Sequence, residues 1–266
     1  MISAENTSTN SSQSPSFGLT GKVAVVTGSG RGIGAAMAEN FARAGADIVV
    51  NDINPEFAAQ TIARVEKFGR RAISSLHDIS TMAGAEALIA DAIKGLGHID
   101  IVVNNAGITR DALLTKMTEQ QWDDVIRIDL KGVFAVGQAA AKVMAEQKSG
   151  AIINIASIAH LGNVGQSNYS AAKAGVVAMT KTWALELARF GIRVNAIAPG
   201  FIDTPLAQAV PAEIKERFIK RIPARRFGSP EEIADLALFL ASPRASYITG
   251  QCIEADGGLA VGLGSM

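Results

Sequence analysis

The sequence predicts a doubly wound α/β domain, a parallel sheet covered by helices on both faces. Three observations carry this. Short β-branched runs alternate with longer segments of helical period, most of the runs are apolar throughout, and a glycine-rich turn joins the first run to the first helix. Strands buried on both faces need uninterrupted apolar runs, and right-handed crossovers place the intervening helices on both sides of the sheet.

The strand candidates, in order, are Val23–Thr27, Asp47–Asn51, Ala72–His77, Ile99–Val103, Ala151–Ala156, Arg193–Ala198 and Gln251–Glu254. Helical spacing is read from Ile33, Met37 and Phe41 at i, i+4, i+8, and over Met82–Leu96, Trp122–Ala145, Val176–Leu187 and Ile233–Leu240. Seven strands with short connections make one domain over residues 19–266, a length that α/β folds routinely hold as a single unit. Residues 1–18 are rich in Ser, Thr and Asn and hold no Lys or Arg, so a disordered tail is expected. The same residues fit neither a secretory signal nor a transit peptide. A segment near 203–227, with Pro205, Pro211 and Pro223 around an amphipathic middle of Ile214, Phe218 and Ile219, stands between the sixth strand and its helix. A lid over a site belongs there.

Composition excludes several classes. The 25 basic and 25 acidic side chains balance to zero, with no long basic run, so a nucleic-acid partner held through phosphates is not expected. No apolar stretch approaches the ~20 residues that span a bilayer. One cysteine, Cys252, forms no internal disulfide, which points to a reducing, cytoplasmic setting and leaves no Cys-rich metal site. His77, His98 and His160 lie far apart without ligand spacing, so no metal is expected.

The glycines are informative. Val23–Thr27 runs into Gly28-Ser-Gly-Arg-Gly-Ile-Gly34, which opens the helix of Met37 and Phe41. Such a turn is a phosphate site, because its backbone N–H groups point outward, the helix dipole favours an anion, and missing Cβ atoms admit a pyrophosphate. Gly28, Arg31, Gly32, Ile33 and Gly34 are the candidate cradle. About twenty residues on, the second strand ends beside Asp52, placed to accept hydrogen bonds from an adenosine ribose and to repel a ribose 2′-phosphate. That favours NAD(H) over NADP(H). Arg31 argues the other way, since a guanidinium pairs with that phosphate, and Asp52 weighs more because it would face the ribose directly.

The Gly-x-x-x-Gly-x-Gly spacing, Asn104-Asn-Ala-Gly107 after the fourth strand, Ser157 after the fifth and Tyr169-Ser-Ala-Ala-Lys173 opening the next helix together resemble the short-chain dehydrogenase/reductase family. The resemblance covers Leu19 to Gly258. Asn105–Asp111, Gly165–Tyr169, Pro199–Thr204 and Arg226–Ile233 look most like its 3-oxoacyl-acyl-carrier-protein reductase branch. It implies a Rossmann-type domain and direct hydride transfer between a nicotinamide dinucleotide and a secondary alcohol or ketone.

The residues support that chemistry. Tyr169 and Lys173 are i, i+4 on one helix face, so the ammonium lies beside the phenol and stabilises its ionised form. Tyr169 is then the candidate general acid or base, and Ser157 at a strand's carboxyl end the candidate hydrogen-bond donor to the substrate oxygen. By the resemblance, Lys173 also holds the nicotinamide ribose. Asp78 would accept from adenine with Ile79 packed on the ring, and Asn105, Ala106 and Gly107 would line the adenosine-side ribose. Pro199, Gly200, Ile202 and Thr204 would meet the carboxamide. A homotetramer is implied as well, with the long Ala-rich segments Trp122–Ala145 and Ala171–Arg189 as candidate interface.

Two departures stand out. The family usually places an Asn in the long fourth helix to hold a water beside the Lys, and here Asp129 occupies that position, as a fourth candidate catalytic residue. The segment from Ser157 to Tyr169 looks one residue shorter than in the branch compared; His160 within it either contacts substrate or faces solvent. The expected substrate is a 3-oxoacyl thioester on acyl-carrier protein or CoA, which the lid cations Lys215, Arg217, Lys220, Arg221, Arg225 and Arg226 would attract. The alternatives are an NAD-dependent dehydrogenase of small secondary alcohols or diols, or a non-catalytic nucleotide-binding regulator. A nucleotide-sugar epimerase would need a longer chain and other glycine spacing.

Overall fold

A computed structural model describes residues 17–205 and 212–261. The expected tail over 1–16 and the lid residues 206–211 lie outside the described residues. Phe17 and Gly18, assigned by sequence to the tail, belong to the folded unit: Phe17 packs against the core, and the Arg244 guanidinium lies 4.8 Å from its ring centre.

All seven strands pair in parallel, in the order β3-β2-β1-β4-β5-β6-β7. They are β1 (Val23–Thr27), β2 (Asp47–Asn51), β3 (Ala72–Ser75), β4 (Ile101–Asn104), β5 (Gly150–Ile155), β6 (Ile192–Pro199) and β7 (Cys252–Ala255). The described helices are α1 (Gly32–Arg43), α2 (Pro55–Glu66), α3 (Met82–Leu96), α4 (Glu119–Val125), α5 (Val133–Gln147), α6 (Ser167–Leu187), α7 (Ala212–Arg221) and α8 (Pro230–Ala241). The chain order reverses between β1 and β4, which opens a crevice at the carboxyl ends of the strands.

Every residue of β1, β2 and β4 is buried, because helices cover both faces. On one face Met37, Phe41, Leu238 and Leu240 pack on Val26, Val50 and Val103; on the other Leu88, Ile89, Val136 and Met144 pack on Val25, Val49 and Val102. Alternate residues of one strand thus feed two cores, as the uninterrupted apolar runs require.

The differences from the sequence reading have local causes. Helix α2 was not expected: only Ala58, Thr61 and Val65 are buried on it, too small an apolar stripe to announce a helix. Its signal was the cap, Asn54 accepting from the N–H groups of Glu56 and Phe57, with Pro55 opening the helix. Strand β3 stops at Ser75, two residues short of the expected His77, where Asn51 Nδ2 donates to both Ser75 O and His77 O. The segment expected as one helix over Trp122–Ala145 is α4, a π-helical stretch Ile126–Gly132, and α5. The wide turn carries Asp129. Such insertions often occur at functional sites.

Candidate active site

The β1–α1 turn is packed to its limit. A Cβ on Gly34 would lie 2.3 Å from Gly28 O, and one on Gly28 would lie 2.8 Å from Ala106 Cα. Asn105 holds the turn from the side, its Nδ2 donating to Thr27 O at 2.9 Å and Gly28 O at 3.1 Å, while Thr27 Oγ1 accepts from the N–H groups of Asn105 and Ala106. Arg31, at the N-cap of α1, makes no side-chain capping bond to the first-turn N–H groups of the helix. A helix start without a cap, reached by a glycine turn, fits the phosphates of a dinucleotide.

At the lip of the turn Asp52 is held on both oxygens: Oδ2 accepts from Gly30 N at 3.1 Å and Oδ1 from Asn54 N at 2.9 Å. The Arg31 guanidinium stacks 5.1 Å from the Phe57 ring centre. Asp78 sits three positions beyond the end of β3, not at it, on an exposed loop where Oδ1 accepts from Ser80 N at 2.9 Å. Partial burial works against its charge, but the Ser80 bonds and Arg127 hold its carboxyl below the usual range. Ile79, the next residue, is buried against the core, where a Cβ on Gly132 would lie 2.5 Å from its Cδ1.

Ten of the expected site residues line one cavity of about 440 Å³: Ile33, Asn105, Gly107, Ser157, Tyr169, Lys173, Pro199, Gly200, Ile202 and Thr204. Gly28, Arg31, Gly32, Gly34, Asp52, Asp78 and Ala106 are not among its lining residues, and Asp129 pairs with Lys173. Ser157 ends β5 and caps the short turn Ile158–Leu161, its Oγ accepting from Ala159 N at 3.1 Å. Its O–H remains to donate. His160 neither lines the cavity nor faces solvent: Nδ1 lies 2.7 Å from Ser157 O and Nε2 lies 3.9 Å from Glu254 Oε1.

Tyr169 and Lys173 share the first turns of α6, with Lys173 Nζ 5.4 Å from the Tyr169 ring centre. Nζ donates to Ile155 O at 3.0 Å and pairs with Asp129 Oδ2 at 3.2 Å; both side chains are buried. Two of the three ammonium protons are therefore committed, and one remains for the cleft. Burial pushes the Lys173 ammonium down, but the Asp129 carboxylate and Tyr169 more than offset it, so it stays protonated well above neutral pH. Burial raises the Asp129 carboxyl, opposed by Lys173 and by the Ile108 N–H bonded to Oδ1 at 2.8 Å.

Sequence reasoning missed the residue that seats the Tyr169 helix. Asn168 is buried, donates from Nδ2 to Arg110 O at 3.0 Å and Gln121 O at 2.8 Å, and accepts from Tyr169 N at 2.8 Å. Its position beside Tyr169 was the available signal. The segment expected as a lid is tied at its base, where Ile202 bridges Gly228 and the Phe218 ring sits 4.3 Å from that of Phe201. Beyond it, Arg226 and Glu232 form a two-armed ion pair that holds the Glu232 carboxyl down to about 2.

This arrangement can polarise a carbonyl through Ser157, exchange a proton at its oxygen through Tyr169, and hold a dinucleotide along the β1–α1 turn. Comparison with known proteins agrees. A family model described as Enoyl-(Acyl carrier protein) reductase matches residues 28–260. The chain is 46% identical over 244 residues to the 3-oxoacyl-[acyl-carrier-protein] reductase FabG of Thermotoga maritima, covering 91% of this chain and 99% of that protein. It superposes with a TM-score of 0.88 on a gluconate 5-dehydrogenase from Burkholderia cenocepacia J2315 in complex with NADP and tartrate, 40% identical and covering 92% of this chain and 98% of that one. A short-chain type dehydrogenase/reductase from Mycobacterium marinum gives the same TM-score at 35% identity, over 92% and 97% of the two chains. The cradle, the cavity and these matches make the chain a member of the short-chain dehydrogenase/reductase family, oxidoreductases of CH–OH groups that use a nicotinamide dinucleotide.

Proposed function

We propose that this chain interconverts 3-oxoacyl and 3-hydroxyacyl thioesters, with NAD(H) preferred over NADP(H). The observation that carries the reading is the meeting of Ser157, Tyr169 and Lys173 in one cavity, with Ile108, Ile155, Ile158, Phe201, Phe218 and Leu259 as apolar wall. The FabG relatives favour the thioester. The bound nicotinamide supplies or takes the hydride at the substrate carbon.

Ser157 donates its hydroxyl proton to the substrate oxygen and stabilises charge developing there. Tyr169 gives its phenolic proton to that oxygen in reduction and takes it back in oxidation. Lys173, positive beside the phenol, steadies the ionised tyrosine and offers its uncommitted N–H to the nicotinamide-side ribose. Asp129 fixes Lys173 from behind. The regulator reading rested on Asp129 alone, and Asp129 leaves Lys173 in place. Gly28, Gly32, Ile33 and Gly34 would hold the pyrophosphate; Asn105, Ala106 and Gly107 would border the adenosine-side ribose; Pro199, Gly200, Ile202 and Thr204 would meet the carboxamide, and Asp78 and Ile79 the adenine.

The NAD(H) preference rests on Asp52. Its carboxylate, fixed by two backbone N–H groups at the ribose end of the cradle, opposes a 2′-phosphate, and Arg31 beside it is stacked on Phe57. A second reading, a dehydrogenase of small secondary alcohols or diols, is favoured by the gluconate 5-dehydrogenase neighbour, whose structure holds NADP. A screen of 3-oxoacyl thioesters, small ketones and diols, followed by cofactor fluorescence with both dinucleotides, tests all of this. Turnover confined to diols overturns the substrate, and a clear NADP(H) preference overturns the cofactor.

Trp122, Phe134 and Leu185 are exposed on α4, α5 and α6, and we place the homotetramer contact there. Sedimentation as a monomer overturns that assignment. No helix among the described residues is long and apolar enough to cross a membrane.

A further inference from the structure

The cations of the lid differ in what they touch. Lys220 pairs with Glu216 at 3.9 Å, Arg225 donates to Lys220 O, and Arg226 is held by Glu232. Among the described residues Lys215, Arg217 and Arg221 have no side-chain ion pair or hydrogen bond, and of these three Arg221, in the last turn of α7, lines the cavity that contains Ser157 and Tyr169. Phe218, three residues earlier on the same helix, lines it too and packs on Phe201. Helix α7 therefore presents the cavity with an aromatic wall and, at the exposed end, a free guanidinium. Among the described residues no carboxylate lines the cavity, and its other cation, Lys173, is already balanced by Asp129.

An unpaired guanidinium at the rim of a largely apolar cavity recognises an oxyanion on a substrate whose uncharged part lies inside. Its planar fork suits phosphate or carboxylate. We propose that Arg221 determines substrate specificity by binding the phosphate of a thioester's carrier arm while the acyl carbonyl sits at Ser157 and Tyr169. This rests on the thioester reading above and adds to it: the anion is read by one lid residue, not by the lid's general positive charge.

The test compares wild type, Arg221→Gln and Arg221→Lys on acetoacetyl-CoA, on the N-acetylcysteamine thioester of the same acyl group, which has no phosphate, and on acetoacetate. A charge-assisted bond of about 1.5–3 kcal/mol corresponds to roughly ten- to a hundredfold in affinity. Arg221→Gln is expected to raise KM for the CoA thioester by that factor, with kcat within a few-fold, and to lower its kcat/KM at least tenfold more than that of the N-acetylcysteamine thioester. Arg221→Lys restores part of the loss, and added salt brings wild type towards the Gln variant. Equal losses on the two thioesters, or none, overturn the proposal. If wild type turns over no thioester, the substrate reading fails separately; an Arg221-dependent KM for acetoacetate then shows that the anion is a carboxylate, and overturns the phosphate assignment. Turnover of uncharged ketones alone overturns the site altogether.

Discussion

Around the β1–α1 turn an added methyl group at Gly34, Gly30 or Gly28 would meet another atom at 2.3, 2.6 or 2.8 Å, whereas α7, bordering the same cleft, has no fully buried residue. The first region is held from several sides: Asn105 and Asp52 bond backbone groups of the turn, and Thr27 Oγ1 accepts from the backbone N–H groups of Asn105 and Ala106. The second is attached at its base by the Ile202–Gly228 bridge and the tilted Phe201–Phe218 pair, with Lys215, Phe218 and Ile219 half-buried and the rest of α7 exposed. The contrast separates two tasks. On the proposed reading a dinucleotide of constant shape would be met by a tightly packed cradle, while the residues assigned to substrate choice would stand on a helix of which little is packed.

The largest expected effect lies where the two regions meet. Tyr169→Phe removes the proton donor without disturbing the cradle, so kcat should fall by roughly 10²–10⁴ while dinucleotide affinity, read by fluorescence quenching, holds. Retained turnover would move the proton chemistry elsewhere. Next is a challenge to the cradle's rigidity: Gly34→Ala forces a methyl group onto Gly28 O, and an overpacked site of this kind costs about 1–3 kcal/mol. Reduced thermal stability with weakened dinucleotide binding is expected, and wild-type values for both would show that the turn yields.

Asp52→Asn tests the cradle's selectivity. Removing the fixed charge should raise kcat/KM with NADPH relative to NADH by roughly tenfold or more, since like charges placed together cost several kcal/mol. An unchanged ratio would assign selectivity to another residue. Asp129→Asn acts more subtly. Asp129 offsets the effect of burial on Lys173, so without its charge the ammonium loses its proton at lower pH. The alkaline limb of the kcat/KM profile should shift down, and superimposable profiles would show that Lys173 is held by Ile155 O alone. The smallest effect belongs to the lid's base. Glu232 is depressed to about 2, so its pairing with Arg226 contributes above the unfolded carboxyl value near 4.5 and is lost as pH falls towards 2. Arg226→Gln should lower Tm slightly at pH 7, with the difference gone at about pH 2; a difference that persists there points to packing and not charge.

The same contrast explains what could be read in the sequence. The glycine spacing, the Tyr169–Lys173 step and the buried strands are legible because each is a local pattern with one structural solution. The π turn at Asp129 was invisible because its residues keep helical character, and only the wider ring turns the carboxylate towards Lys173. His160 and Glu254 come together from separate elements, which no local spacing records.

The side contacts of the glycine turn also bear on how the protein is made. Asn105 bonds Thr27 across 78 residues of chain, and β1 finds its inner neighbour β4 only after α3 has been laid down. Contacts so distant in sequence are made late and slowly, because a long loop must close before they repay its entropy. During synthesis the turn emerges early and stays without its flank until β4 follows, so dinucleotide affinity in a refolding reaction reports the joining of the sheet's centre, not the appearance of its first strand and helix.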